Sequence, residues 1–366
     1  MRTTRRRHAH SLLKYAEPRP ASTPVTVEAL SASTEAGWDA YVDEHPDSTC
    51  YHHRAWQVAA RQAYDIDTQS LIARDARGAI TGVLPLFMVR RSWSSYGTTA
   101  IFGGYGRVLA SSDDARRELL EEARRMVSRL NLAHLVHKST GEEPVGGEWG
   151  RGDAAVTATL SLDAGEAALW KGFRGEIRNR VRKALASGLK VVEGETGFEP
   201  FYEVLAANMH QKGTPIYGRA FLRAVLEAFG SRAAIITVLR GEETLAGALV
   251  VEHRNEVHIP FVSSRPGASA LAPNNLLYWE IIRRSCARGM TLLDFGRSFR
   301  GTSSLEFKIR WGAQVVPQPF YYVHSGAPPI IDPGGPRVRM AVAIWQSLPR
   351  GLTDRFGPVL AARLLA

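Results

Sequence analysis

Two short runs hold the densest cluster of residues able to do chemistry. They are Leu293-Asp294-Phe295-Gly296-Arg297-Ser298 and Leu305-Glu306-Phe307-Lys308-Ile309-Arg310-Trp311-Gly312. The first reads as a buried strand whose apolar residues give way to Asp, Gly and Arg. Such a strand delivers polar groups to the C-terminal edge of a sheet, where open α/β folds hold ligands. Asp294 and Arg297 are therefore candidates for orienting a substrate, or for pairing with each other. Lys308 adds a cation close by in sequence. Asp294-Phe295-Gly296 also imitates the magnesium motif of protein kinases. That chemistry is excluded, because no His-Arg-Asp loop, no Gly-rich loop after a first strand and no strand lysine in a Val-Ala-Ile-Lys setting accompanies it.

Other candidates carry weaker signals. Arg178, Arg182 and Lys183 lie in a basic run from Leu169 to Lys190, read as one helix closed by Gly188. The run is either a solvated helix face or a cradle for a phosphorylated carrier. Asn274 or Asn275 reads as the N-cap of a long helix stopped by Gly289. Free N–H groups at that terminus favour an anion such as a pyrophosphate or carboxylate. Tyr278, one turn on, is grouped with them as a cofactor contact, while its helical spacing with Ile282 also suits a core. Phe102-Gly103-Gly104-Tyr105-Gly106 reads as a tight turn lining the space between two halves, since it lacks the spacing and terminal lysine of a phosphate loop. His45, His52 and His53 have no Asp, Glu or Cys at ligand spacing, so no metal is expected.

The elements that must position these residues repeat. Arg54-Ala55 aligns without a gap with Arg219-Ala220, and Ala59, Ala63, Gly82 and Leu84 then meet Ala224, Ala228, Gly247 and Leu249. Upstream, His45 and Thr49 meet His210 and Thr214. Self-similarity of this kind means one fold written twice. Each copy reads as helix, helix, hairpin, strand, long helix, strand, which predicts mixed α/β layers with one central sheet per copy. The expected division is a disordered basic tail at 1–24, domains at 25–160 and 161–325, and a Pro/Gly linker with a basic helical tail at 326–366.

Composition sets outer bounds. The chain has 366 residues, 45% of them hydrophobic, enough for ordinary cores. No apolar run is long enough to cross a bilayer. The start is basic but lacks a following apolar stretch, so it is not read as a secretory signal. Cys50 and Cys286 form no disulfide or metal spacing, which points to a reducing cytosol. A net charge of +10 calls for an anionic partner.

Taken in order, several of these motifs resemble the Fem-type branch of the GNAT acyltransferase superfamily. They are the Gly82-Val83-Leu84-Pro85-Leu86 hairpin, the helix Arg178 to Ala184, Gly213-Thr214-Pro215, Leu277-Tyr278-Trp279-Glu280, the Asp-Phe-Gly-Arg-Ser strand, and Phe307-Lys308 with Trp311-Gly312. The nearest likeness is to FemAB-like proteins associated with exosortase and exopolysaccharide systems, also grouped as BioF2-like acetyltransferase domains. The resemblance implies two tandem GNAT-like domains and attack by an amine on a thioester or aminoacyl ester. It casts Lys308 as the stabiliser of the oxyanion, with Asp294 accepting or orienting the amine's proton. It makes Thr214, Tyr217 and Arg219 contacts to the acceptor's phosphates, although Arg54, the repeat partner of Arg219, suggests a shared helix-start role instead. The implied product is an amide on a cell-envelope or exopolysaccharide precursor, a phosphorylated or lipid-linked glycan. The donor is acyl-CoA or aminoacyl-tRNA, and neither half shows a clear Gln/Arg-x-x-Gly-x-Gly/Ala loop for acyl-CoA. The expected place is the cytoplasm, peripherally at the inner face of the plasma membrane, with the apolar positions Trp345, Leu348, Leu352, Phe356, Leu360 and Leu364 either on lipid or packed back on the first domain. A non-catalytic scaffold for anionic glycans is the alternative. DNA is not expected, and RNA recognition would need an aromatic platform that is missing.

Overall fold

The computed structural model describes residues 24–91, 94–325 and 335–364. The expected tail at 1–24, but for its last residue, and the linker at 326–334 lie outside the described residues. The first half runs β1 (Thr26–Ala29), α1 (Glu35–Glu44), α2 (Arg54–Tyr64), β2 (Asp67–Thr68), β3 (Leu71–Arg74), β4 (Ile80–Leu84), β5 (Phe87–Arg90), β6 (Ser95–Thr98), β7 (Leu109–Ala110), α3 (Asp113–Arg129), β8 (His134–Lys138) and β9 (Gly150–Ser161). The second runs α4 (Gly165–Gly172), α5 (Gly175–Ala186), β10 (Leu189–Glu193), α6 (Phe198–Gln211), α7 (Arg219–Phe229), β11 (Ala233–Arg240), β12 (Glu243–His253), β13 (Glu256–Ser264), α8 (Pro273–Ala287), β14 (Leu292–Phe299), α9 (Ser303–Arg310) and β15 (Gln314–His324). Two further helices follow, α10 (Pro336–Ser347) and α11 (Arg350–Leu364).

The repeat is real at the level of elements. α2 and α7 both begin at the matched Arg-Ala pairs and pack against each other. Phe221 of α7 meets Trp56 and Tyr64 of α2 at ring-centroid distances of 6.2 and 5.4 Å. Each half then crosses between parallel strands through a helix, β6–α3–β8 in the first and β13–α8–β14 in the second. α3 forms there because Ser112 caps it, accepting the Ala115 N–H at 3.1 Å, and Asp113 and Asp114 lie favourably at the positive end of the helix dipole.

The sheets depart from expectation. The hairpin strand of the first half breaks at Pro85, which has no N–H to give to a ladder. β4 stays in a four-stranded sheet of order β1-β3-β4-β7, while β5 joins a larger one. The two central sheets expected become a single 11-stranded sheet, β10-β11-β12-β13-β14-β9-β15-β8-β6-β5-β2. Its middle is an exchange of strands. β9, the last strand of the first half, lies against β14 of the second, and β15, the last of the second, lies against β8 of the first. β9 and β15 pair with each other, with Phe320 opposite Gly152 and Tyr322 opposite Gly150. A Cβ on Gly152 would stand 2.2 Å from the Phe320 ring, so the glycine lets that ring lie across β9.

Two helix expectations change as well. The basic run Leu169–Lys190 breaks at Phe173-Arg174 into α4 and α5. α8 starts at Pro273, whose missing N–H costs nothing at a first helical position, and Ala272 rather than an asparagine takes the N-cap. The tail helices rest mainly on α6, α11 also touching β5 of the first half. Among the described residues no helix is long and apolar enough to cross a membrane.

Because each half lacks a strand that the other supplies, the chain should unfold in one calorimetric transition, with circular dichroism and tryptophan fluorescence midpoints coinciding. Residues 24–161 expressed alone should stay unfolded by circular dichroism. Two separated transitions, or a folded fragment, would contradict the exchange.

Candidate active site at the seam between the halves

β13 and β14 pair only from Glu256↔Leu292 to His258↔Asp294. Beyond that point β13 follows β12 to Ser264 and β14 follows β9 to Phe299, so the two parallel strands part. The parting is shaped by a shift of register in β14 between Asp294 and Arg297. Gly296 takes φ 76° within it, and a Cβ there would stand 2.7 Å from the Ile259 carbonyl oxygen. Only glycine meets both conditions.

Asp294 is buried at this bulge. Its Oδ1 accepts the Gly296 N–H at 2.7 Å and the Thr157 hydroxyl at 2.6 Å, and its Oδ2 accepts the Tyr105 hydroxyl. The pairing with Arg297 expected as one option is therefore absent. Three donors already hold the carboxylate, which leaves it poorly placed to take a proton from a substrate. Buried His258 stands beside it, Nδ1 3.8 Å from Asp294 Oδ2.

α9 starts where Thr302 accepts the Leu305 N–H at 3.4 Å, and one turn later it directs Lys308 back onto the bulge. Lys308 is 4% exposed. Its Nζ donates to the carbonyls of Gly296 at 2.6 Å and Arg297 at 3.2 Å. An ammonium has three N–H bonds, so one is left for a ligand. Burial pulls its pKa down to about 8, opposed by Asp294 and helped by the charge of Lys212.

The first half contributes Lys138 from the end of β8. Lys138-Ser139 closes β8 much as Arg297-Ser298 sits near the end of β14. Lys138 Nζ donates to the Ala100 carbonyl at 2.7 Å. Burial and the charge of Arg297 lower its pKa to about 7. The Arg297 guanidinium lies 4.9 Å from the Phe299 ring centroid. Tyr217, held between Phe102 and Phe261 at 5.1 and 5.0 Å, is pushed up to about 12 by burial, with Arg297 pulling the other way. Lys138, Lys212, Arg297 and Lys308 thus feel one another or share neighbours. Among the described residues none of the four forms an ion pair, and this unbalanced positive charge suits an anionic ligand.

The seam collects Asp294, Arg297, Lys308 and Tyr217 from the residues singled out in the sequence. Thr214 stands three residues away in the same loop, its N–H donated to Met209 O. Arg219 pairs instead with Glu199 at 3.1 Å and Glu203 at 2.6 Å and lies 4.0 Å from the Tyr202 ring. Its charge is thereby matched within α6 and α7, as Arg54 is matched by Asp39 at 3.1 Å. On α5, Ile177, Val181 and Ala184 face inward, while Arg182 and Lys183 are exposed and Arg178 is half-buried. Arg182 stacks 5.7 Å from Trp170. Asn274 donates to Ser264 Oγ at 3.0 Å, Asn275 is buried in the first turn, and Tyr278 packs in the core against Phe295 and Phe307, both at 5.3 Å.

Tyr105, Thr157, Lys138 and His258 were missed. The glycine-rich turn carrying Tyr105 does line the junction, and the Lys-Ser and Arg-Ser echo was legible, whereas nothing marked Thr157. The histidines need a correction too. The acidic partner missing from their sequence neighbourhood arrives through the fold: Asp43, His53 and His253 bring ligand atoms within 4.8 Å of one another. Arg232 already stands among them, its Nη1 3.2 Å from Asp43 Oδ1 and 3.0 Å from His53 Nε2, so a guanidinium supplies the cation there.

Residues 171–308 match the acetyltransferase (GNAT) domain family. No curated protein matches the sequence. Among solved structures, FemX superposes with a TM-score of 0.64 at 15% identity, over 80% of this chain and 96% of that one. A tandem GNAT protein from the clavulanic acid biosynthesis pathway gives 0.55 at 14%, over 83% and 100%. The C-terminal domain of a putative lysylphosphatidylglycerol synthetase from Agrobacterium fabrum gives 0.53 at 11%, over 86% and 96%.

Gly296→Ala should lower stability by about 2 kcal/mol or more, from the left-handed φ and the contact with Ile259. The check is a denaturant titration. A loss within about 0.5 kcal/mol, the usual surface range, would show that the bulge is not held as described.

Proposed function

We propose that this chain, whose fold is a FemAB-like tandem of GNAT domains, forms an amide on an amino group of an anionic cell-envelope or exopolysaccharide precursor. One observation carries the reading. Where two parallel strands part beneath a helix, a buried ammonium with one uncommitted N–H sits on two carbonyls of the bulge. In acyl transfer the amine nitrogen attacks the acyl carbonyl carbon, a C–N bond forms, and the C–S or C–O bond to the donor breaks. The carbonyl oxygen gains charge on the way, and a fixed cation in a poorly hydrated place stabilises it. Lys308 is that cation. The amine's proton passes to water, because three donors, one of them the bulge's own N–H, already hold the buried Asp294 carboxylate in place. Asp294 acts through the bulge, and Arg297 with Lys138 holds an anionic part of the acceptor or donor. The donor is a thioester such as acyl-CoA or an aminoacyl ester.

A second reading has an observation of its own. Lys308 is engaged by two backbone carbonyls, which would suit a silent scaffold that binds anionic glycans at the seam. Product formation separates the two.

Lys308→Met keeps the volume and removes the charge. It should lower kcat by about 100-fold or more, and leave the Gly296 and Arg297 carbonyls unpaired at a stability cost of about 1–3 kcal/mol. The pKa of Lys308 is depressed, so the ammonium persists below about pH 8 and is lost as pH rises through that value. Wild-type kcat should therefore carry a falling limb near pH 8, which the variant lacks. Full turnover in Lys308→Met, measured on the folded protein, would remove the assignment.

A further inference from the structure

The two C-terminal helices are built inside out for a water-soluble surface. α11 turns its small residues inward: Thr353, Gly357 and Ala361 are buried at helical spacing. Gly357 stands so close to Ile216 that a Cβ would lie 2.7 Å from its side chain. The large apolar residues face out, with Leu352 45%, Phe356 53% and Val359 52% exposed along one stripe. α10 repeats the arrangement, exposing Met340 at 62% and Ile344 at 55% one turn apart. A helix packed against a protein core normally shows the opposite order. A contiguous apolar face of this kind marks a surface that something covers.

Charge decides what covers it. From residue 336 to 364 the sequence carries five arginines against one aspartate and no lysine or glutamate. Arg355 and Arg363 fall on the exposed side of α11, beside the stripe by helical spacing, and both are exposed. The single Asp354 is tied to Arg350 at 3.5 Å. Two copies meeting through this face would oppose arginine to arginine. An anionic bilayer instead offers acyl chains to the stripe and headgroups to the guanidiniums. We infer that α10 and α11 dock the protein on the surface of an anionic membrane, with Leu352, Phe356, Val359, Met340 and Ile344 entering the headgroup boundary.

The docking face is continuous with the seam. Val342 of α10 packs on Gly213, Gly357 of α11 on Ile216, and Pro358 on Gly218. The helices thus bracket the loop Gly213–Gly218 that carries Tyr217 beside Arg297, and Thr353 Oγ1 lies 3.2 Å from His210 Nδ1 on α6. Docking would bring the cationic seam to the lipid surface. A substrate borne on a lipid anchor would then reach Arg297 without leaving the bilayer. That last clause rests on the acyltransferase reading, whereas the docking itself does not.

The test is co-sedimentation of the full chain with vesicles of phosphatidylcholine, with and without phosphatidylglycerol. The protein should bind the anionic vesicles, and salt should weaken binding. The triple variant Leu352→Ser, Phe356→Ser, Val359→Ser should lose binding on the order of tenfold or more. Its melting temperature and its activity on a water-soluble amine should be unchanged. Absence of binding to phosphatidylglycerol vesicles, equal binding by the triple variant, or a wild-type dimer that the variant converts to monomer would each overturn the proposal. A protein that binds vesicles but makes no amide sinks the catalytic reading alone. One that makes amide but ignores vesicles sinks the docking alone.

Discussion

The antiparallel pairing of β9 with β15 is the contact on which the rest of the molecule depends. Each strand belongs by sequence to one half and by hydrogen bonding to the other. The pairing fuses two α/β layers into one sheet and sets β8 and β14 running toward each other from opposite sides. Their C-terminal ends then meet near the middle of the sheet, and Lys138 and Arg297 meet with them. The aromatic rings of Phe320 and Tyr322 over Gly152 and Gly150 fix the register of the exchange. A slip by one residue would turn every side chain of β9 to the wrong face.

That frame makes an unfavourable local structure possible. The β14 bulge opens a ladder, bends the backbone to a left-handed glycine and buries a carboxylate, with the ammonium of α9 buried against its carbonyls. Buried charges are costly unless their hydrogen-bonding capacity is met. Asp294 meets that condition with donors from three places: a hydroxyl of the first half's turn, a hydroxyl of the exchanged strand, and the bulge's own N–H. Lys308 meets it with the two carbonyls the bulge frees. The carboxylate and the ammonium hold the same bend from its two polar ends, so the bulge, Asp294 and Lys308 form one hydrogen-bonded unit.

The two halves repeat the same elements but are not symmetric. In the first half Pro85 severs the hairpin strand and sends its two parts into different sheets, while the second keeps β12 whole with a shift near Val250. Val136 stands on β8 at the place Asp294 takes on β14, each being paired by register with the parallel strand beside it. Only the second half therefore carries the carboxylate and ammonium pair. The first contributes Lys138 and Tyr105, so the seam is built from both.

Local pattern was enough to show the duplication, the element order within each half and the buried strand that carries Asp294, Gly296 and Arg297. Helical and strand periodicities are properties of adjacent residues, and Arg54 and Arg219 start equivalent helices because the same local signals act on both. Local pattern failed where distant residues decide. Arg219 looked free until Glu199 and Glu203 on α6 neutralised it, and Tyr278 packs in the core against Phe295 and Phe307. The histidines seemed to lack an acid until folding brought Asp43 to His53 and His253, and Arg232 to Asp43 and His53. The exchange of β9 and β15, the donors around Asp294 and the outward face of α11 all join residues far apart in the chain. Periodicity along one element cannot encode such meetings. They follow from which surfaces are left to pair once each element has formed.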